Sequence, residues 1–169
     1  MKIVLVGYRA AGKSTVAELV ARQLGWPCLE VDRRIEERCG RSIVQFYQEE
    51  GDLAYRDLET AVVEEYCAGD RCIVSFGAGS LMRPQNQAAA QRDSLVVYLQ
   101  TTPQELWRRI EGDPSSASTR PNLSGGGLEE VEEMLAAREP VYRQCANLVI
   151  DATRPPEELA RAIVVALQD

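Results

Sequence analysis

The segment Gly7-Tyr8-Arg9-Ala10-Ala11-Gly12-Lys13-Ser14-Thr15 fits the pattern G-x-x-x-x-G-K-[S/T], and the apolar run Ile3-Val4-Leu5-Val6 stands directly before it. Residue types at this spacing suit the binding of a nucleoside triphosphate. Backbone N–H groups between the two glycines turn inward to cradle a β-phosphate, while the helix that follows aims its positive end at the anion. Lys13 then reaches the β- and γ-phosphates, and the Ser14 hydroxyl serves as a ligand for Mg²⁺. Gly7, Ala10, Ala11, Gly12, Lys13, Ser14 and Thr15 are therefore the expected nucleotide-binding residues. A glycine-rich turn that binds nothing is the weaker reading. The amphipathic pattern Val16, Leu19, Val20, Leu24 follows where the mechanism needs a helix.

Further along, Leu29-Glu30-Val31-Asp32 closes a second apolar run with carboxylates at alternate positions, which on a strand project to one side. Glu30 and Asp32 there suit Mg²⁺ coordination through water, and Asp32 suits contact with a substrate hydroxyl. Its position also allows Asp32 to cap a helix beginning at Arg33. Ser75-Phe76-Gly77-Ala78-Gly79-Ser80 is a small-residue turn at the carboxyl end of a third run, where ligands of open α/β sheets bind. Arg56 stands three residues before Glu59, a spacing that an ordinary surface salt bridge explains. Arg138 falls on the stripe Leu128, Val131, Leu135, Tyr142, where an unpaired buried guanidinium is costly. It requires an anion, either an internal carboxylate or a bound ligand.

The elements that must position these groups follow from the apolar pattern. Runs at residues 2–6, 28–31, 72–75, 95–99 and 147–150 alternate with helical patterns at about 13–24, 33–39, 42–50, 52–68, 84–91, 103–111, 128–146 and 156–168. The alternation predicts five parallel strands in a three-layer α/β/α sandwich. With 169 residues and 45% apolar content, one domain over 1–169 is expected. Residues 112–127, rich in Gly, Ser and Pro with Arg120 among them, read as a mobile lid loop.

Composition narrows the chemistry. Histidine is absent, so acid–base work falls to carboxylates, Lys and Arg with a bound ion. A net charge of −7 without a basic tract argues against nucleic acid as a partner. No stretch approaches the roughly 20 apolar residues that span a bilayer, and Met1-Lys2-Ile3 leads straight into the first strand without a signal peptide. Five cysteines, an odd number in apolar or helical segments, read as free thiols. A soluble, cytoplasmic monomer is expected. The third run lacks an Asp-x-x-Gly, and Asn-Lys-x-Asp occurs nowhere, so a GTPase is disfavoured.

Taken together, these residues resemble the shikimate kinases, in order and over nearly the whole chain. The phosphate loop, Asp32 with Arg33-Arg34-Ile35-Glu36, Tyr55-Arg56-Asp57-Leu58-Glu59, Gly77-Ala78-Gly79, Arg120-Pro121-Asn122-Leu123 and Arg138-Glu139-Pro140-Val141-Tyr142 are similar to that family's motifs. The resemblance implies a P-loop kinase fold and ATP-dependent phosphorylation of the 3-hydroxyl of shikimate, giving shikimate 3-phosphate for aromatic amino-acid synthesis, with Mg²⁺. It implies that Arg56 and Arg138 hold the substrate carboxylate, that Asp32 accepts from its hydroxyls, and that the Gly77-Ala78-Gly79 turn adds backbone contact through Gly79. Arg120 would meet the transferring phosphoryl group, with Lys13 and Asp32 as its catalytic companions, while Arg109 and Arg154-Pro155 would flank adenine.

Two positions depart from the family pattern. Glu30 stands where aspartate is usual in the magnesium water shell, and Ala78 where glycine is usual, which demands a backbone that accepts a Cβ. The alternatives are a related kinase acting on gluconate or a nucleoside monophosphate, and a nucleotide-binding module without turnover.

Overall fold

The computed structural model describes residues 1–113 and 126–168. Its elements run β1 (Lys2–Val6), α1 (Lys13–Leu24), β2 (Cys28–Glu30), α2 (Val31–Cys39), α3 (Ile43–Cys67), β3 (Ile73–Ser75), α4 (Pro84–Gln91), β4 (Ser94–Gln100), α5 (Pro103–Glu111), α6 (Leu128–Cys145), β5 (Leu148–Asp151) and α7 (Pro156–Gln168). The five strands form one parallel sheet in the order β2-β3-β1-β4-β5. This is the α/β sandwich that the alternating pattern predicts.

Sequence explains why β1 lies at the centre. Every residue of Lys2–Val6 is buried, as a parallel strand covered on both faces requires. Val4 sits between Val74 and Val96 on the neighbouring strands. The helices cover the sheet through small and branched residues: Val16, Ala17 and Val20 of α1 and Leu159, Ala160 and Ile163 of α7 are buried, and these two helices pack together.

The carboxyl ends of three strands meet at one rim. β1 runs into the loop before α1, β2 into the start of α2, and β3 into Phe76 through Gly79. Helix α3 then shapes the wall beside that rim. It is broken at Gly51, whose φ of 87° and ψ of 176° belong to a region that only glycine occupies comfortably. The break matches the separate helical patterns at 42–50 and 52–68. Tyr47 before it and Tyr55 after it meet edge to face with ring centroids 5.9 Å apart.

All five cysteines are free thiols. Burial pushes Cys28 and Cys67 up to about 11, so both stay neutral and poorly nucleophilic at neutral pH.

A Cβ at Gly51 would meet open space, so its conformation is the only penalty a side chain there would bring. Gly51→Ala is expected to lower the unfolding free energy by about 1–3 kcal/mol. Denaturant titration should register this as a lower midpoint at unchanged slope; an unshifted midpoint would show that the kink is not needed.

Candidate active site

Two clefts open at the rim. One, of about 730 Å³ including its open mouth, follows the phosphate loop and is lined by Gly12, Lys13, Ser14, Thr15, Glu30 and Asp32 among others. Gly7 must be glycine, because a Cβ there would lie 2.9 Å from the Leu99 carbonyl oxygen. Gly12 precedes the first turn of α1 at φ 94°. Lys13 is 6% exposed, and its Nζ donates to the carbonyls of Gly7 and Tyr8, both at 2.8 Å. Ala10 adopts φ 66°, a left-handed conformation that costs a non-glycine residue about 1–2 kcal/mol. Its carbonyl is held by Arg109, which donates to Ala10 at 3.2 Å and to Ala152 at 2.9 Å. Arg109 is steadied by Glu105, whose carboxyl is drawn down to about 2 by hydrogen bonds from Arg108 and Arg109. The phosphate loop is thus tied to the turn after β5.

The paired carboxylates arrive by a different route from the one their alternation suggests. β2 stops at Glu30 and helix α2 begins at Val31, so Asp32 lies in the first helical turn rather than on the strand. Nor does Asp32 cap that helix: Glu30 holds the cap position, without a side-chain capping bond. A three-residue edge strand is too short for strand alternation to decide direction. Glu30 and Asp32 nevertheless line the same cleft as Ser14. These are hard oxygen donors, and among the described residues no His/Cys/Asp/Glu cluster forms a metal cage by itself. Such a set suits Mg²⁺ shared between protein and phosphates.

The second cleft, about 650 Å³ including its mouth, is lined by Asp32, Arg56, Gly77, Ala78, Gly79 and Arg138 together with aromatic residues of α3. Arg56 is not part of an ordinary surface pair. Its partner Glu59 is 1% exposed and accepts from Arg56 at 2.8 Å, Ser80 at 2.9 Å and Tyr55 at 3.4 Å. Burial alone would lower the Arg56 pKa, but the charge and hydrogen bond of Glu59 outweigh it and the net direction is upward. The guanidinium lies against Gly79, where a Cβ would come within 2.7 Å of it, and a Cβ at Gly77 would come within 2.6 Å of the Asp32 carboxylate. Glycine at these two positions is therefore a packing requirement.

Ala78, between them, avoids the left-handed region and so accommodates its Cβ. Its carbonyl accepts a hydrogen bond from Tyr142 of α6. One turn earlier on that helix, Arg138 stacks over the Tyr8 ring at 5.8 Å, and among the described residues it has no carboxylate partner. Of the two anion sources that its position on an apolar stripe left open, a bound ligand is the one this arrangement suits.

The two clefts share two lining residues, Arg9 and Asp32. Of the residues expected from sequence, the structure brings together Lys13, Ser14, Glu30, Asp32, Arg56, Gly77, Ala78, Gly79 and Arg138. Arg154 stands apart: it bonds to Glu158 at 3.2 Å and lines a shallow hollow on α7. The Pro155 carbonyl starts that helix by accepting from Glu158 and Leu159. Arg120 and most of the expected lid lie outside the described residues. Glu130, eight residues before Arg138 on the same helix face and lining the second cleft, escaped the sequence reading, while Glu59 was read only as the partner of a surface pair and Arg9 only as part of the phosphate-loop segment. Helical spacing from Arg138 was the signal that could have found Glu130.

Comparison with known proteins agrees with this geometry. Residues 9–168 match the family model described as shikimate kinase. A shikimate kinase of Oleidesulfovibrio alaskensis is 36% identical over 94% of this chain and 92% of its own length. One from Enterococcus faecalis is 33% identical over 99% of this chain and 98% of its own length. Among solved structures, the shikimate kinase of Acinetobacter baumannii in complex with shikimate superposes with a TM-score of 0.91 at 28% identity, covering 99% of this chain and 92% of that one. With the phosphate loop, the arginine pair and the glycine turn all meeting at one rim, the chain belongs to the shikimate kinase family.

Proposed function

We propose that this protein transfers the γ-phosphoryl group of ATP to the 3-hydroxyl of shikimate, yielding ADP and shikimate 3-phosphate. The observation that carries the reading is the junction of two clefts at Asp32, one following a phosphate loop and the other flanked by Arg56 and Arg138. Shikimate has one carboxylate and three hydroxyls on a rigid ring. Its carboxylate would face the two guanidiniums at the far end of the second cleft, and its reacting hydroxyl would then point toward Asp32.

Phosphoryl transfer through a loose transition state demands alignment and positive charge more than covalent help. Lys13 would leave the loop carbonyls to meet the β- and γ-phosphates. Asp32 would orient the acceptor hydroxyl and take its proton late, a task within reach of an ordinary carboxylate. Mg²⁺ would be held by Ser14 with Glu30 and Asp32 at water-mediated range, and when bound it neutralises phosphate charge. Glu30 keeps the charge of the usual aspartate and carries it one methylene further from the backbone. Arg120 would add charge at the transferring group, and Arg109 with the turn at Arg154-Pro155 would flank adenine. A monomer in the cytoplasm completes the reading.

A coupled assay of ADP release, run with shikimate, gluconate and nucleoside monophosphates, tests the assignment. Shikimate alone should stimulate turnover; stimulation by another acceptor, or ATP binding without turnover on any, would replace the reading. Lys13→Ala and Arg120→Ala should each lower kcat by about 10²-fold or more; steady-state kinetics at the unaltered rate for Arg120→Ala would remove that residue from the mechanism. Arg138→Ala should instead raise the KM for shikimate by about 10-fold or more while changing kcat less, the signature of lost ground-state binding. A kcat loss at unchanged KM would assign Arg138 to the reacting end.

A further inference from the structure

We infer that Arg9, inside the phosphate loop, is a further catalytic residue of this chain, its guanidinium contacting the phosphoryl group as it crosses from donor to acceptor. The inference rests on the reading of the protein as a shikimate-directed kinase and adds a role that the family motifs do not supply.

The first support is position. Of all described residues lining the two clefts, only Arg9 and Asp32 border both. One is a cation and the other an anion. The remaining cationic side chains of the clefts sit to one side or the other: Lys13 borders only the phosphate cleft, while Arg56 and Arg138 border only the acceptor cleft. Arg56 is engaged by buried Glu59 and Arg138 is stacked on Tyr8, which keeps both at the acceptor end. A group in transit therefore passes Arg9.

The second support is rigidity on both sides of Arg9. The Tyr8 carbonyl accepts from the Ala11 N–H at 3.2 Å, and the Tyr8 ring lies under the Arg138 guanidinium at 5.8 Å, contacts that do not depend on Lys13. The Ala10 carbonyl accepts from Arg109, which is itself anchored on Ala152. Ala10 is held at φ 66° despite its Cβ. A backbone fixed at both neighbours sets where the half-buried Arg9 side chain leaves the loop, so its charge stands at the junction before any ligand binds, the condition under which a preformed charge is most effective.

Chemistry supplies the rest. As the γ-phosphoryl group separates from ADP, negative charge spreads over its equatorial oxygens, and a planar guanidinium offers two parallel donors to two of them. Arg9 transfers no proton and forms no bond. The O–P bond to ADP breaks as the bond from the acceptor oxygen forms, and the hydroxyl proton goes to Asp32.

The test is Arg9→Met, with Arg9→Lys beside it, each checked for unchanged thermal midpoint. Arg9→Met should lower kcat by about 10²-fold, with KM for ATP and shikimate moving less than about 3-fold, and Arg9→Lys should recover part of the loss. Inhibition by ADP with aluminium fluoride, a mimic of the group in flight, should weaken in Arg9→Met far more than inhibition by ADP alone. A merely structural residue would not separate those two affinities. A kcat within about 3-fold of the unaltered enzyme, or a raised shikimate KM at constant kcat, would overturn the role. If Arg9→Met lowers the thermal midpoint, Arg9→Lys at the unaltered midpoint carries the test: full kcat with equal affinity for both inhibitors would overturn the role. Failure of the unaltered protein to turn over shikimate would instead refute the functional reading beneath it.

Discussion

Electrostatic repulsion between two anionic reactants is the constraint to which this architecture answers. Two unit charges 4 Å apart repel by about 4 kcal/mol at an effective dielectric of about 20, and a chain of net charge −7 would make matters worse if its acids faced the cleft. The fold instead gathers Arg9, Lys13, Arg56 and Arg138 at the carboxyl rim of the sheet. Of the acidic groups near them, Glu59 is coupled to Arg56, and Glu30 and Asp32 line the phosphate cleft.

Holding those cations is chiefly a matter of packing. Glu59 is a carboxylate with almost no contact with water, and it is tolerated because three donors from two segments converge on it. Loss of one partner from such a buried pair typically costs about 3–5 kcal/mol. The same interaction that fixes Arg56 therefore also joins α3 to the turn after β3. The glycines of that turn let backbone approach side chain closely enough for the union to form.

How much of this was legible in the sequence depended on how local the cause was. The phosphate loop was readable because nine contiguous residues satisfy one chemical demand, and the break at Gly51 was readable as the gap between helical patterns at 42–50 and 52–68. Arg138 was readable as a cation on an apolar stripe. The burial of Glu59 was not, since it depends on Ser80, 21 residues away and brought close only by the sheet. Asp32 misled because strand periodicity was applied to a segment that had already become helix. Arg9 carried no periodic signal at all: the path of this loop is set by hydrogen bonds that its carbonyls accept from Lys13 and from Arg109, the latter 99 residues away.

Helix α6 touches the phosphate loop through Arg138 on the Tyr8 ring and the turn after β3 through Tyr142 on the Ala78 carbonyl. It works as a crossbar. A small molecule that levered this helix outward would unseat both halves of the machinery together without entering the nucleotide pocket, where the cellular supply of triphosphate competes with every inhibitor.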